Sequence, residues 1–193
     1  MPAIEIISHN DRWRHEFAQV ALSIRQATRD LAVRIDHIGS TSVPGLAAKD
    51  VIDVQVSVTS LDPSDAIAAA LNSLGYQWMP KLTQDHLPPG CEDSPAQWQK
   101  LYFRCPPAQR RTNLHVRVMG SANQRYAILF RDYLRCCPRA AEAYARVKFA
   151  LARLHPEDAG AYYDVKDPAC DLIMIAAESW ADGCGWTMGT TDA

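Results

Sequence analysis

Gly39-Ser40-Thr41-Ser42, set thirteen positions ahead of an acid-bearing stretch at Asp53-Val54-Gln55, is the part of this sequence best equipped for chemistry. A glycine at a strand end lets the backbone turn tightly. The residues after it offer clustered N–H and hydroxyl donors suited to phosphate oxygens. Asp53 and Gln55 have period-two spacing in a β-branched run, so both point to one face of a strand. An acid placed there can hold Mg²⁺ beside phosphates, because Mg²⁺ is usually bound by one or two carboxylates plus substrate phosphate. The plainer reading is a strand, a Pro44-Gly45 turn and a second strand whose acid faces solvent. A short Gly-Ser signal leaves both readings open.

Other side chains group around the same candidate site. His115 alternates with Leu114 and Val116, so it leaves the apolar face and shares a sheet face with Asp53, where acid–base work is possible. Arg104 and Arg117, on two strands expected to pair, are candidates for an anion clamp, with ordinary solvated strand residues as the alternative. Lys49 and Lys100 lie beside the same sheet. Arg131, in the helical run Phe130–Arg135, reads most simply as part of a charged helix face. Lys148 interrupts an apolar stripe, by snorkelling or by reaching a phosphate. His37 precedes the glycine and is as well explained by packing as by function.

These residues need elements to position them. Trp13, Phe17, Val20, Ala21 and Ile24 recur at helical spacing after Asn10 or Asp11, giving a first helix to about Thr28. Val33, Ile35 and His37 alternate as a strand ending at Gly39, and Val51–Val58 is the clearest strand in the chain. Asp62-Pro63 reads as a cap and first helical position for a helix ending before Gly75. Residues 76–79 suggest a short strand, and 80–95 a long aperiodic loop. Residues 100–104 and 112–118 suggest a hairpin. From Ser121 the period becomes helical, with further helices expected at Pro138 and at Asp167-Pro168. The tail after Gly183 is expected to fray. The layout predicts an α+β chain forming one domain over 1–193, with a sheet-containing core at about 30–119 and C-terminal helices at about 121–182.

Composition narrows the class. The chain has 193 residues, 48% hydrophobic and 22% charged, with a formal charge of -2. That balance disfavours a general affinity for nucleic acid. No apolar run is long enough to cross a membrane and no signal peptide is visible, so a cytoplasmic location is expected. Six cysteines fall at 91, 105, 136, 137, 170 and 184 without a paired zinc spacing. Free thiols are the expectation.

The stretch from His37 to Val56 resembles the central motif of the GrpB (UPF0157) family, within the nucleotidyltransferase superfamily. Asn113–Val118, Phe130–Arg135 and Ala143–Ala152 resemble its downstream motifs in order. Residues 10–17 resemble its first helix, and residues 162–181 its last. The resemblance implies a nucleotidyltransferase-like mixed sheet with an N-terminal helix and a C-terminal helical cluster. It also implies that the Gly39-Ser40 pair helps bind nucleotide phosphates and raises a binding role for Arg131; Thr41, Ser42, Lys49, Arg104, Arg117 and Lys148 are the further phosphate or substrate contacts expected from their residue types. A nucleoside triphosphate, or another nucleotide or phosphorylated small molecule, would be the ligand, with Mg²⁺ on Asp53 and Gln55. Two departures stand out: Gln55 fills the second acid position, and the later strand presents His115 where an acid is expected. The usual two-metal clamp therefore lacks charge. A group-transfer enzyme, a non-catalytic nucleotide- or partner-binding module and a metal-independent ligase or transferase all remain compatible with the pattern.

Overall fold

A computed structural model describes residues 3–193. Five strands form one sheet: β1 (Arg34–Ile38), β2 (Ile52–Val58), β3 (Gln77–Trp78), β4 (Leu101–Arg104) and β5 (Thr112–Val118). Their spatial order is β1-β2-β5-β4-β3. β2 and β5 run parallel, and the other neighbours are antiparallel. The helices are α1 (Arg12–Thr28), α2 (Asp65–Ser73), α3 (Ala122–Cys136), α4 (Pro138–Leu154) and α5 (Ala159–Cys184).

Strand alternation divides the chemistry. Ile52, Val54, Val56 and Val58 of β2, with Leu114 and Val116 of β5, share a core with Trp13, Phe17 and Ile24 of α1 and Leu71 of α2. Each fully buried aliphatic or aromatic side chain there contributes about 1.5–3 kcal/mol. The opposite face carries Asp53, Gln55 and Ser57 beside Asn113, His115 and Arg117 in register. A second core, built from α3, α4 and α5 with Val43 and Leu46, lies on this polar side. This α+β arrangement is the nucleotidyltransferase-like layout that the resemblance implies. Among the described residues, no helix is long and apolar enough to cross a membrane.

Four details depart from expectation. Val33 lies outside β1 and is 46% exposed, while Ile35 and His37 turn inward. The second helix starts at Asp65 rather than Pro63. Pro168 does not open the last helix but stands inside α5, which starts at Ala159 with the Asp158 carboxylate accepting from Ala161 N at 3.0 Å. Proline removes one intrahelical donor; packing of α5 along α3 and α4 holds the helix together across that gap. Nor does the tail fray. Thr191 Oγ1 accepts from Ile35 N at 3.0 Å and donates to Ile35 O at 2.8 Å, and the Asp192 carboxylate accepts from His37 N at 2.9 Å. The tail thus covers the free edge of β1, satisfying backbone groups an edge strand leaves open.

Candidate functional site

The loop after β1 is shaped by one close approach. Gly39 has φ +70°, and a Cβ placed on it would lie 2.4 Å from Asp53 Oδ2. Only glycine fits that position without displacing the carboxylate. Residues 40–42 then form a single tight turn. Ser42 Oγ donates to Gly39 O at 2.6 Å, while Thr41 Oγ1 donates to Val51 O at 3.2 Å and meets His37 Nε2 at 3.0 Å. Both residues are buried. Thr41 and Ser42, expected as phosphate donors, therefore use their hydroxyls to hold the loop. The Ser40 side chain is the one left half-open.

Ser40 Oγ accepts from Lys148 Nζ of α4 at 2.9 Å, and the same ammonium donates to Ala47 O. Lys148 is 2% exposed. Burial, with Lys166 and Lys49 nearby, pushes its pKa down to about 7. Lys49 Nζ donates to Tyr163 OH at 2.7 Å and lies over the Tyr162 and Tyr163 rings. Lys148 alone touches the Gly-Ser loop; Lys49, and Lys166 of α5 with its Nζ 3.1 Å from Asp167 Oδ1, are close enough to act on Lys148 by charge.

Asp53 lies under this cradle. Its Oδ1 accepts from Asn113 Nδ2 at 2.8 Å, and Asn113 Oδ1 accepts from Tyr102 OH at 2.7 Å. Burial raises the Asp53 pKa, opposed by the Asn113 hydrogen bond and by Lys49, Lys166 and Arg117. His115 is half-buried two residues along β5, edge-on to Tyr102. Burial and the charges of Arg117 and Lys100 push its pKa well below the ordinary histidine value. A neutral imidazole so depressed is a hydrogen-bond partner more than a strong base.

Gln55 is fully buried, and Arg117 Nη1 donates to its Oε1 at 2.5 Å. Its Nε2 donates to Gln124 O at 3.2 Å. The carbonyl expected to complete a metal site is thus committed to a guanidinium. The other acid in this row, Asp36, is locked by Arg34 through contacts of 2.6 and 2.7 Å. Among the described residues, no group of three or more His, Cys, Asp or Glu could hold a metal. The donors do not fit a two-ion centre. Asp53, which makes no ion pair among the described residues, is the carboxylate left unpaired on this face.

The expected clamp of Arg104 and Arg117 does not form. Arg104 pairs with Asn113, four residues from Arg117, so the two sit about 13 Å apart along the strand. Arg104 is exposed. Arg117 instead donates to Asp85, from Nε at 2.8 Å and Nη2 at 3.0 Å. Arg131 is 3% exposed and donates to His37 O, Asp192 and Asp132, which makes it a brace between α3, β1 and the tail rather than a phosphate contact. His37 stacks on Phe17, with ring centroids 4.5 Å apart. Burial, with Arg135 and Arg131 nearby, pushes its pKa down to about 3, so its packed reading holds.

Asn113, Lys166 and Asp85 belong to the site and went unnamed in the sequence. Asn113 had a signal, the same alternation that singled out His115. Lys166 lay ahead of the proline taken for a helix start, and Asp85 lay in an aperiodic loop. An open cleft of about 130 Å³ lies between the sheet, this loop and α5, lined by Asp85, Arg117, Asn123, Trp98, Tyr126 and Lys166 among others.

Comparison with known proteins places these features in context. Residues 3–175 match the family model described as GrpB protein. A protein named Dephospho-CoA kinase from Mycolicibacterium paratuberculosis is 32% identical over 195 residues, covering 95% of this chain and 48% of its own length. The chain thus spans about half the length of the first curated relatives it matches. A UPF0157 protein of Pseudomonas aeruginosa is 36% identical over 173 residues, 89% of this chain and 66% of that protein. The crystal structure of conserved protein GrpB from Enterococcus faecalis superposes with a TM-score of 0.75 at 27% identity. It covers 91% of this chain and 99% of that one.

Proposed function

The chain belongs to the GrpB family, and from that premise we propose that the polar face of its sheet, from the Ser40 loop to the neighbouring cleft, binds a nucleotide or phosphorylated small molecule and transfers or activates a group on it. One observation carries the reading. Lys148 is a buried cation whose partners, the Ser40 hydroxyl and the Ala47 carbonyl, are both neutral. A buried ammonium without an anion beside it is costly. A phosphate oxygen at Ser40 would supply the missing charge and restore the lysine's proton affinity.

In this reading Ser40 and Lys148 hold a phosphate oxygen, and Lys49 and Lys166 neutralise the remaining charge. Gly39 allows the loop backbone to approach Asp53. Asp53 would hold one Mg²⁺ together with the ligand's phosphates, and that ion would polarise a phosphoryl oxygen. Asn113 and Tyr102 fix the orientation of the Asp53 carboxylate. His115, held neutral, is placed to accept or donate a hydrogen bond along the same face.

A second, metal-independent reading is favoured by the cations Lys49, Lys166 and Arg117, which already act on Asp53. Isothermal titration with ATP, in Mg²⁺ and then in EDTA, separates the two. Binding lost in EDTA supports Asp53 as a metal ligand, and binding kept in EDTA supports the lysines alone. Absence of binding by the wild type at millimolar ATP would sink both. If Asp53→Asn keeps full biological function, the cleft is a binding module rather than a catalytic centre.

A further inference from the structure

The phosphate reading leaves a second group of donors unused at the far end of the polar face. Arg117 is 6% and Asn123 1% exposed. Together with Lys100 they converge on one carboxylate, that of Asp85. Arg117 donates to it twice, at 2.8 and 3.0 Å; Lys100 Nζ donates to Oδ1 at 2.5 Å and Asn123 Nδ2 to Oδ2 at 2.9 Å. Paired donation from one guanidinium matches the geometry of a carboxylate.

Asp85 belongs to neither sheet nor helix but to the loop between β3 and β4. Its backbone N donates to Trp98 O at 2.9 Å, and Lys100 N donates to Thr83 O at 2.8 Å. Those bonds anchor the loop on either side of Asp85, and its carboxylate adds the contacts that tie this stretch to Arg117 and Asn123, so displacing the carboxylate loosens the loop without unfolding it. The next residue latches the loop to α5, with His86 Nε2 2.9 Å from Asp171 Oδ2. Asp85, His86, Arg117 and Asn123 all line the open cleft. Arg117 and Asn123 are therefore reachable from the cleft once the carboxylate moves.

Resting on the reading of this cleft as a substrate site, we infer that Lys100, Arg117 and Asn123 form a second subsite. It receives a carboxylate carried by the second substrate, and Asp85 fills it while the loop is down. The subsite begins about 13 Å along the sheet from the row of Asp53 and Asn113, with His115 between. A small acidic acceptor anchored at Arg117 would direct its other end toward Asp53. Although burial pushes the Asp85 pKa up, Arg117 and Lys100 hold it well below the usual carboxylate range. Acid within the ordinary range will not release it; a competing anion will. The tethered carboxylate competes at a high effective concentration, so wild type should bind free carboxylates weakly.

Succinate titrated calorimetrically into wild type, Asp85→Asn and Asp85→Ser tests this. We expect at least tenfold tighter binding in the variants, lost again when Arg117→Lys is added. If Asp85 only positions Arg117, the variants will bind no better than wild type, and the inference is overturned. Inorganic phosphate gaining as much as succinate would overturn the carboxylate assignment. A readout in the wild type does not depend on the variants folding: saturating succinate should speed tryptic cleavage after the exposed Lys81 as the loop loosens. Unchanged cleavage counts against the subsite. Pyrophosphate in parallel reports on the Ser40 end; its failure to bind would remove the nucleotide reading while the succinate comparison still decides this one.

Discussion

Lys148 and Arg117 are both buried cations on the polar side of one sheet, and they are held in opposite ways. Lys148 meets a hydroxyl and a carbonyl and gives up much of its proton affinity, with a pKa pushed down to about 7. Arg117 meets the Asp85 carboxylate in paired fashion and a glutamine carbonyl besides. One end of the face is short of negative charge and the other has supplied its own. Where a cation meets only neutral partners, an arriving anion would offset the most. Where the counterion hangs on a loop, it can be exchanged.

That contrast can be broken at either end, and the largest effect is expected at the satisfied one. Arg117→Ala takes the paired donors from the Asp85 carboxylate, leaving it Lys100 and Asn123, and removes a buried guanidinium from the fully buried Gln55 carbonyl; together these should cost about 3–5 kcal/mol by urea denaturation. A loss below about 1 kcal/mol would mean the two ends do not differ as described. Gly39→Ala comes next, at about 2–4 kcal/mol, from the positive φ and the collision with Asp53. Adding Asp53→Ser should recover part of that loss, and strict additivity would remove the collision as its cause.

At the unsatisfied end, Lys148→Met should leave stability unchanged or raise it, because it removes a charge the fold holds at a cost. The same change should weaken pyrophosphate binding at least tenfold, about 1.4 kcal/mol. A destabilised variant with intact binding would reverse the picture. The smallest signal is in pH. Between about pH 7 and lysine's ordinary value, the unfolded chain keeps a proton that folded Lys148 releases. Unfolding free energy should therefore rise with pH across that window relative to Lys148→Met. Pyrophosphate binding should move the other way, weakening above pH 7 in wild type and less so in Lys148→Arg, whose guanidinium stays charged.

Alternation along residues 51–58 and 112–118 was enough to place Asp53, Gln55 and His115 on one face. The Gly-Ser loop and Lys148 were also legible, because their residue types are unusual for their positions. What alternation cannot give is register, so Arg104 and Arg117 were paired across a distance the sheet does not close. Pro168 marked a helix start by the usual rule, yet tertiary packing carried α5 through it and brought Lys166, Asp167 and Cys170 to the cleft. Asp85 had no periodic signal at all, since its role depends on which strand the loop lies over. Arg131 looked like a ligand contact until the tail residue Asp192 was found bonded to it.

The parallel pairing of β2 with β5 also bears on the order in which the site assembles. The stretch that carries Gly39 and Asp53 closes over short distances in the chain, with Ile38 directly beside Asp53 in the antiparallel β1–β2 ladder. Asn113 reaches Asp53 across 60 residues. Two doublings of loop length separate those closures, an added entropic cost of about 1.2 kcal/mol for the later one. Contacts so distant in sequence tend to form late. As the chain folds, the Gly39–Ser42 loop can therefore take shape first, and the strand that aims the Asp53 carboxylate joins afterwards.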